Sequence, residues 1–173
     1  MAIVLSAEEE RRYGELLQLA ADHARHGETA ELEAMLFHGL PLNLADAKGN
    51  TLLMLAAYHG NEETARMLLA RGADPDRRND RGQTPLGGVA FKGYAGIARL
   101  LLDHGAEIDA DNGGGMTPLM FAALFGRNDV AALLRERGAG QGRRLGGGWL
   151  LRMARAVAAL RRLFAPGAVP RAA

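Results

Sequence analysis

The chain has 173 residues, 48% of them hydrophobic and 24% charged, which suffices for one domain with a continuous core and excludes a wholly disordered chain. It contains no cysteine, so disulfides, thiolate metal sites and cysteine nucleophiles are excluded together. The net charge of +1 conceals an asymmetry: residues 1–139 carry 14 lysines and arginines against 20 acids, a balance of −6, whereas residues 140–173 carry seven arginines and no acid.

The opening stretch "MAIVLSAEEERRYG" is too short and too acidic for a secretory apolar segment, and no run approaches the roughly 18 apolar residues of a membrane span. A cytoplasmic location is therefore expected. Ser6 with Glu9 three residues later forms a capping-box pattern, which predicts a leading helix near 7–26.

From there the sequence repeats with a period of 33. Thr51, Thr84 and Thr117 fall on this spacing, as do Gly49, Gly82 and Gly115. Two glycine columns extend the register to four copies: Gly27, Gly60, Gly93, Gly126 and Gly39, Gly72, Gly105, Gly138. Between them run the apolar rows Met35, Leu68, Leu101, Leu134 and Leu36, Leu69, Leu102, the expected inward stripe of one helix per copy. "TPLMFAALFG" (117–126) and "NDVAALLRERG" (128–138) illustrate the unit: a helix opened by Thr-Pro and closed by glycine, then a second helix closed by glycine. Polar stretches such as "ADPDRRNDRGQ" (73–83), rich in turn formers, separate the copies. A unit of this size cannot bury its apolar faces alone, so neighbours must stack.

"KGNTLLMLAAYHGNEETARMLLARGADPD" (48–76), "RGQTPLGGVAFKGYAGIARLLLDHGAEID" (81–109) and "GGMTPLMFAALFGRNDVAALLRERGA" (114–139) closely resemble ankyrin repeats. The resemblance spans about 15–140 and implies an all-α solenoid of about four helix-turn-helix repeats. The expected ankyrin domain is 1–140, with repeats at about 14–46, 47–79, 80–112 and 113–139. The first copy has Gln18 in the threonine column, and its polar, degenerate character is that of a terminal capping repeat. The chain departs from the family at the histidine of the TPLH tetrapeptide, which is Met54, Gly87 and Met120 here, so the hydrogen bonds that histidine supplies between loops are not expected from these positions. The string "DRGQTPLGGVAFKG" also resembles small bacterial ankyrin proteins, some associated with catalase and oxidative stress, which implies an accessory or stress-related adaptor.

The resemblance further implies a non-enzymatic module that binds another protein through its concave face and hairpin tips. By register the tips carry Lys48, Arg81 and Gly114, and the positions before each threonine are Asn50, Gln83 and Met116. The ends of the first helices carry Tyr58 and His59, Phe91 and Lys92, and Leu124 and Phe125. The expected partner-binding residues are thus Tyr58, His59, Phe91, Lys92, Leu124, Phe125, Met116, Arg81 and Lys48, with Tyr58, Phe91 and Leu124 forming an apolar row and Phe125 beside it.

Within "TPLGGVAFKGY" (84–94) two glycines weaken a well-started helix, each by about 1 kcal/mol relative to alanine. Gly88 stands in register with Leu55 and Phe121, so a large side chain is missing there. Either a neighbouring phenylalanine fills the space or a groove opens. Close packing of interiors favours filling by Phe121.

Beyond Gly138 the period ends. Residues 141–148 read as a Gly/Arg linker, 149–164 as an amphipathic basic helix and 165–173 as a disordered tail. At about 100° per residue, Trp149, Met153, Val157, Leu160 and Phe164 share one face, opposite Arg152, Arg155, Arg161 and Arg162. Such a helix suits an end cap over the fourth repeat, an anionic membrane surface or acidic partner groove contacted by Trp149 and the arginines, or nonspecific phosphate binding. It could also mask the concave face. A peripheral membrane adaptor anchored by this helix is the alternative function. No sequence-specific nucleic-acid motif is present.

Nothing in the sequence assembles a catalytic set. His23 and His26 share a helix face without a third metal ligand, and His38 and His104 fall where a polar group suits a helix C-terminus. "DADNGGG" (109–115) lacks the distal glutamate of a calcium loop, Met120 occupying that place, and the Lys-Ser or Lys-Thr of a phosphate loop. Its glycines fit a turn needing positive backbone angles. No catalytic residue, metal, cofactor or small-molecule substrate is expected.

Overall fold

The computed structural model of the chain describes residues 6–140. The linker 141–148, the helix 149–164 with Trp149, Arg152, Arg155, Arg161 and Arg162, and the tail 165–173 lie outside the described residues. Among the described residues there are eight helices and, apart from an isolated bridge between Ala45 and Thr51, no strand pairing. The helices are α1 (Ala7–His26), α2 (Thr29–Phe37), α3 (Leu52–His59), α4 (Glu62–Ala70), α5 (Pro85–Lys92), α6 (Ala95–Asp103), α7 (Pro118–Leu124) and α8 (Asn128–Glu136).

Caps explain most boundaries of the first helix in each repeat, whereas α2, α4, α6 and α8 start without a side-chain cap. The Ser6 hydroxyl accepts from the Glu9 amide, and the Glu9 carboxylate accepts from the Ser6 amide at 2.8 Å, completing the capping box. That backbone hydrogen bond, with one from the Ser6 hydroxyl, holds the Glu9 carboxyl below its usual range. Thr51, Thr84 and Thr117 are extended and buried, and their hydroxyls accept from the amides of Met54, Gly87 and Met120. Gly60 and Gly93 close α3 and α5 in the left-handed region, at φ 86° and 94°. At α7 the pattern slips: Phe125 is the cap with φ −98°, and Gly126 takes the positive angle. This helix therefore ends one residue earlier than α5 does in the 33-residue register.

The helices stack in two layers. The first layer packs α1 on α3, α3 on α5 and α5 on α7, the second packs α2 on α4, α4 on α6 and α6 on α8, and each first helix packs on the second helix that follows it. Buried alanines in the first layer, including Ala24, Ala57, Ala90 and Ala122, let those backbones approach closely. Leu68, Leu101 and Leu134 are fully buried in the second layer, each contributing about 2 kcal/mol by leaving water. Met35, at the same register position in the first copy, is only half-buried. The terminal repeat is also less polar on its outer side than the sequence suggested. Tyr13, Leu16 and Leu19 are nearly half exposed on α1, and Phe37 is 80% exposed.

The hairpins between repeats bond to one another without the missing histidines. The Asn79 side chain donates to the Asn50 side-chain oxygen at 2.9 Å, and the Asp80 amide donates to the Lys48 carbonyl at 3.1 Å. Between the next two hairpins, Arg78 donates to the Asp111 carbonyl. Ion pairs Arg71–Glu33 (2.7 Å) and Arg137–Asp103 (2.9 Å) add exposed links between second helices, worth about 1 kcal/mol or less each.

Candidate functional site

A groove of about 610 Å³ runs between the hairpins and the ends of the first helices. Its hairpin side is formed by Asp46, Lys48 and Asn50 and by Asn79, Asp80, Arg81 and Gln83. Its helical side is formed by Met54, Leu55, Tyr58 and His59 of α3, Gly87, Gly88 and Phe91 of α5, and Phe121 and Phe125 of the fourth copy.

Three rings line the helical side as a continuous ladder. Tyr58 and Phe91 lie parallel, with centroids 6.4 Å apart and planes within 2°. Phe91 and Phe125 meet edge to face at 4.6 Å. Tyr58 and Phe125 remain 42% and 39% exposed, too open for core packing alone to explain them. The Lys92 ammonium sits 5.1 Å from the Tyr58 ring centroid and 6.0 Å from that of Tyr94, within cation–π range.

The hairpin side is held rigid by side chains that cap their own turns. Asp46 accepts from the amides of Lys48 and Asn50 at 2.9 and 3.0 Å, and Asn79 accepts from those of Arg81 and Gln83, both at 3.0 Å. Arg25 of α1 reaches across to Asp46 at 3.1 Å while holding Asp22 at 2.7 Å. Burial pushes the Asp46 carboxyl up, but hydrogen bonds from Asn50 and the Lys48 amide, with Arg25 nearby, outweigh it and leave the pKa below its usual value. The His59 imidazole is pushed below its usual pKa, first by burial and then by the positive charges of Arg25, Lys92 and His26.

Six of the expected partner-binding residues meet in this groove: Lys48, Tyr58, His59, Arg81, Phe91 and Phe125. Lys92 lies over its Tyr58 edge. Leu124 and Met116 are half-buried and do not line it. The ring ladder is therefore Tyr58, Phe91 and Phe125, the last of these the neighbour of Leu124, which holds the register position. Arg25, Asp46, Asn79 and Asp80 complete the groove and were not among the expected site residues.

The two glycines of "TPLGGVAFKGY" have different causes. At Gly87 a Cβ would lie 2.5 Å from the side-chain Cγ of Asn112, because that buried asparagine occupies the space. Its side-chain oxygen accepts from the Thr84 amide at 2.7 Å and the Thr84 hydroxyl at 3.0 Å, and its amide donates to the Ala110 carbonyl at 2.9 Å. Asn112 thus ties the hairpin that closes its repeat back to the start of that repeat's first helix, 28 residues upstream. At Gly88 a Cβ would meet only Tyr58 Cδ2, at 3.4 Å. Phe121 does not fill the space as expected. It stays on its own helix, partly buried against the core, and forms another part of the groove wall.

The histidines have local partners. His23 Nδ1 lies 2.5 Å from a Glu28 carboxylate oxygen, His26 Nδ1 lies 2.8 Å from the Asp22 carbonyl, and His104 Nδ1 lies 2.9 Å from the Leu100 carbonyl. Among the described residues no three or more potential metal ligands cluster, and no helix is long and apolar enough to cross a membrane.

Paired helices repeating every 33 residues, stacked in two layers beside capped hairpins, define a helical repeat solenoid, a class that recognises surfaces. A family model described as "Ankyrin repeat" matches residues 48–80, and one described as "Ankyrin repeats (3 copies)" matches 72–144. Together they span more than half of the chain. The chain belongs to the ankyrin repeat family. A Pseudomonas aeruginosa protein named as an ankyrin repeat protein is 53% identical over 45 residues, 26% of this chain and 26% of that relative. The matched stretch thus spans about a quarter of the relative's length. Ankyrin repeats are a non-enzymatic fold that serves as a protein–protein interaction module.

Proposed function

We propose that this protein is a non-catalytic adaptor that binds a protein partner in the groove between its hairpins and first helices. The observation that carries this reading is the aromatic ladder of Tyr58, Phe91 and Phe125 along a 610 Å³ groove, with two of its three rings well exposed. Aromatic side chains in such settings supply most of the energy at protein interfaces. The polar groups nearby suit recognition better than reaction. Thr51 and Thr84 act as helix caps, and Asp46 and Asn79 hold their own hairpins.

The test is affinity capture from native lysate with the intact chain beside a Tyr58→Ala, Phe91→Ala, Phe125→Ala variant. The expected result is a partner retained by the intact chain and lost by the variant, with circular dichroism showing both folded. Equal capture by the folded variant would remove the groove as the binding surface.

A further inference from the structure

The groove carries a charge opposite to that of the domain around it. Residues 1–139 have a balance of −6, yet Lys48, Arg81 and Lys92 stand around the ladder with no ion pair among the described residues. The other charges on the rim, Arg25 against Asp22, Asp46 and Asp80, sum to −2 and leave the rim at +1. Arg25 is matched by Asp22 and Asp46, and Asp80 lies with its carboxylate against Gly49. The acids that dominate the domain lie elsewhere. Glu31, Glu33, Glu62, Glu63, Asp129 and Glu136 are exposed on the second helices. The groove rim is therefore locally positive on an acidic body, an arrangement that steers anionic partners to one face.

The floor adds a second, independent requirement. Leu55, Gly88 and Phe121 hold equivalent positions in three successive copies, and all three line the groove. Only the middle one has no side chain, and nothing but one edge of Tyr58 comes within 4 Å of where its Cβ would be. The helix sacrifices about 1 kcal/mol of propensity to keep this place open. The gap lies beside the ladder and has apolar walls, which suits one bulky apolar side chain.

We propose that the groove takes an acidic peptide segment of a partner protein, one of whose leucine, isoleucine or phenylalanine side chains seats over Gly88 while its carboxylates face Lys48, Arg81 and Lys92. This deepens the adaptor reading and rests on it. The anchor gains affinity by leaving water, and the carboxylates gain from three cations without an ion pair among the described residues, of which Lys92 is held over Tyr58. His59, whose pKa is lowered by burial and then by the positive charges of Arg25, Lys92 and His26, gains a proton more readily when carboxylates arrive.

The test is to pan a displayed random-peptide library against the full chain and measure the best binder by fluorescence anisotropy. Enriched sequences are expected to be net negative with one large apolar residue at a fixed position. Affinity should fall about tenfold or more in Gly88→Leu, which restores the residue type found at position 55, and by a similar factor in Lys48→Glu/Arg81→Glu. Should Gly88→Leu fail to fold, the exposed Lys48→Glu/Arg81→Glu pair still decides the matter.

Enrichment of no sequence overturns the proposal. Acidic sequences that bind both variants as tightly as the unaltered chain also overturn it, since the arginines of residues 140–173 then hold them. Neutral or basic sequences that are lost in Gly88→Leu overturn the charge assignment but leave the groove as the docking site. The capture experiment with the ladder variant tests the groove without reference to peptide charge, so the two failures are distinguishable.

Discussion

Replacing Gly87 and Gly88 by alanine, one at a time, should move stability in opposite directions. Both lie in α5, and helix propensity alone makes each substitution stabilising by about 0.5–1 kcal/mol. At Gly88 nothing opposes this, since the new methyl meets only Tyr58 at an ordinary contact distance of 3.4 Å. At Gly87 the methyl would sit 2.5 Å from Asn112 Cγ, so the asparagine must leave. Its departure strips the buried Thr84 amide and hydroxyl of their acceptor, at about 1–3 kcal/mol for each group left unsatisfied. The net effect at Gly87 is a loss of about 1–5 kcal/mol. With a urea dependence of about 2 kcal/mol per molar, the midpoint should fall by about 0.5–2.5 M for Gly87→Ala and rise by about 0.3–0.5 M for Gly88→Ala. Combined with Asn112→Ala, Gly87→Ala should no longer destabilise, because the two residues touch and their effects are not additive. A Gly87→Ala protein as stable as Gly88→Ala would refute the seating of Asn112 in that space.

Two further predictions follow from the same contacts. Thr84→Val should cost more than Thr117→Val, by about 1 kcal/mol in urea unfolding, because Thr84 both caps α5 and donates to Asn112 whereas the Thr117 hydroxyl accepts from Met120. His59 should titrate below its usual midpoint near 6.5 in an NMR pH series, and Lys92→Gln should raise that midpoint by removing a positive neighbour. Its linkage sign follows: with the folded pKa depressed, its contribution is fully present above the unfolded value of about 6.5 and is lost as pH falls through the folded one. His59→Gln should therefore flatten the stability profile on that acid side, and an unchanged profile would show that His59 is not held neutral by the fold.

The helices and their order were legible in the sequence because they rest on local signals repeated at a fixed spacing. Thr-Pro starts, glycine stops and leucine rows recur every 33 residues, and the structure places a helix at each recurrence. Register also found Tyr58 and Phe91, since α3 and α5 have the same length. The third ring, Phe125, stands one place beyond the register position, which Leu124 holds, so the spacing alone did not pick it out from its neighbour. Arg25 and Asp46 escaped notice because they belong to the degenerate first copy, where no threonine column marks the register. Asn112 escaped because its role lies 28 residues upstream. The available signal was the absence of a side chain at position 87 together with the glycine run at 113–115.

That glycine run explains how Asn112 became free to turn inward. In the first two hairpins the turn is capped by residues 33 apart, Asp46 and Asn79, each accepting from amides two and four positions ahead. The same register points to Asn112, but in the third hairpin Asp111 does the capping, accepting from Gly113 and Gly115 at 2.9 Å each. Moving the cap back by one residue is accompanied by left-handed backbone at Gly113, with φ 102°, where the register has Ala47 and Asp80 in the earlier hairpins. The two side chains have thus divided one role into two. In hydrogen exchange, Asp111→Ala should speed exchange at Gly113 and Gly115 while leaving Thr84 and Gly87 protected. Asn112→Ala should do the reverse, exposing the start of α5 and sparing the hairpin it belongs to. If Asn112→Ala loosened its own hairpin instead, the asparagine would be an ordinary turn cap, and Gly87 would have lost its reason for being glycine.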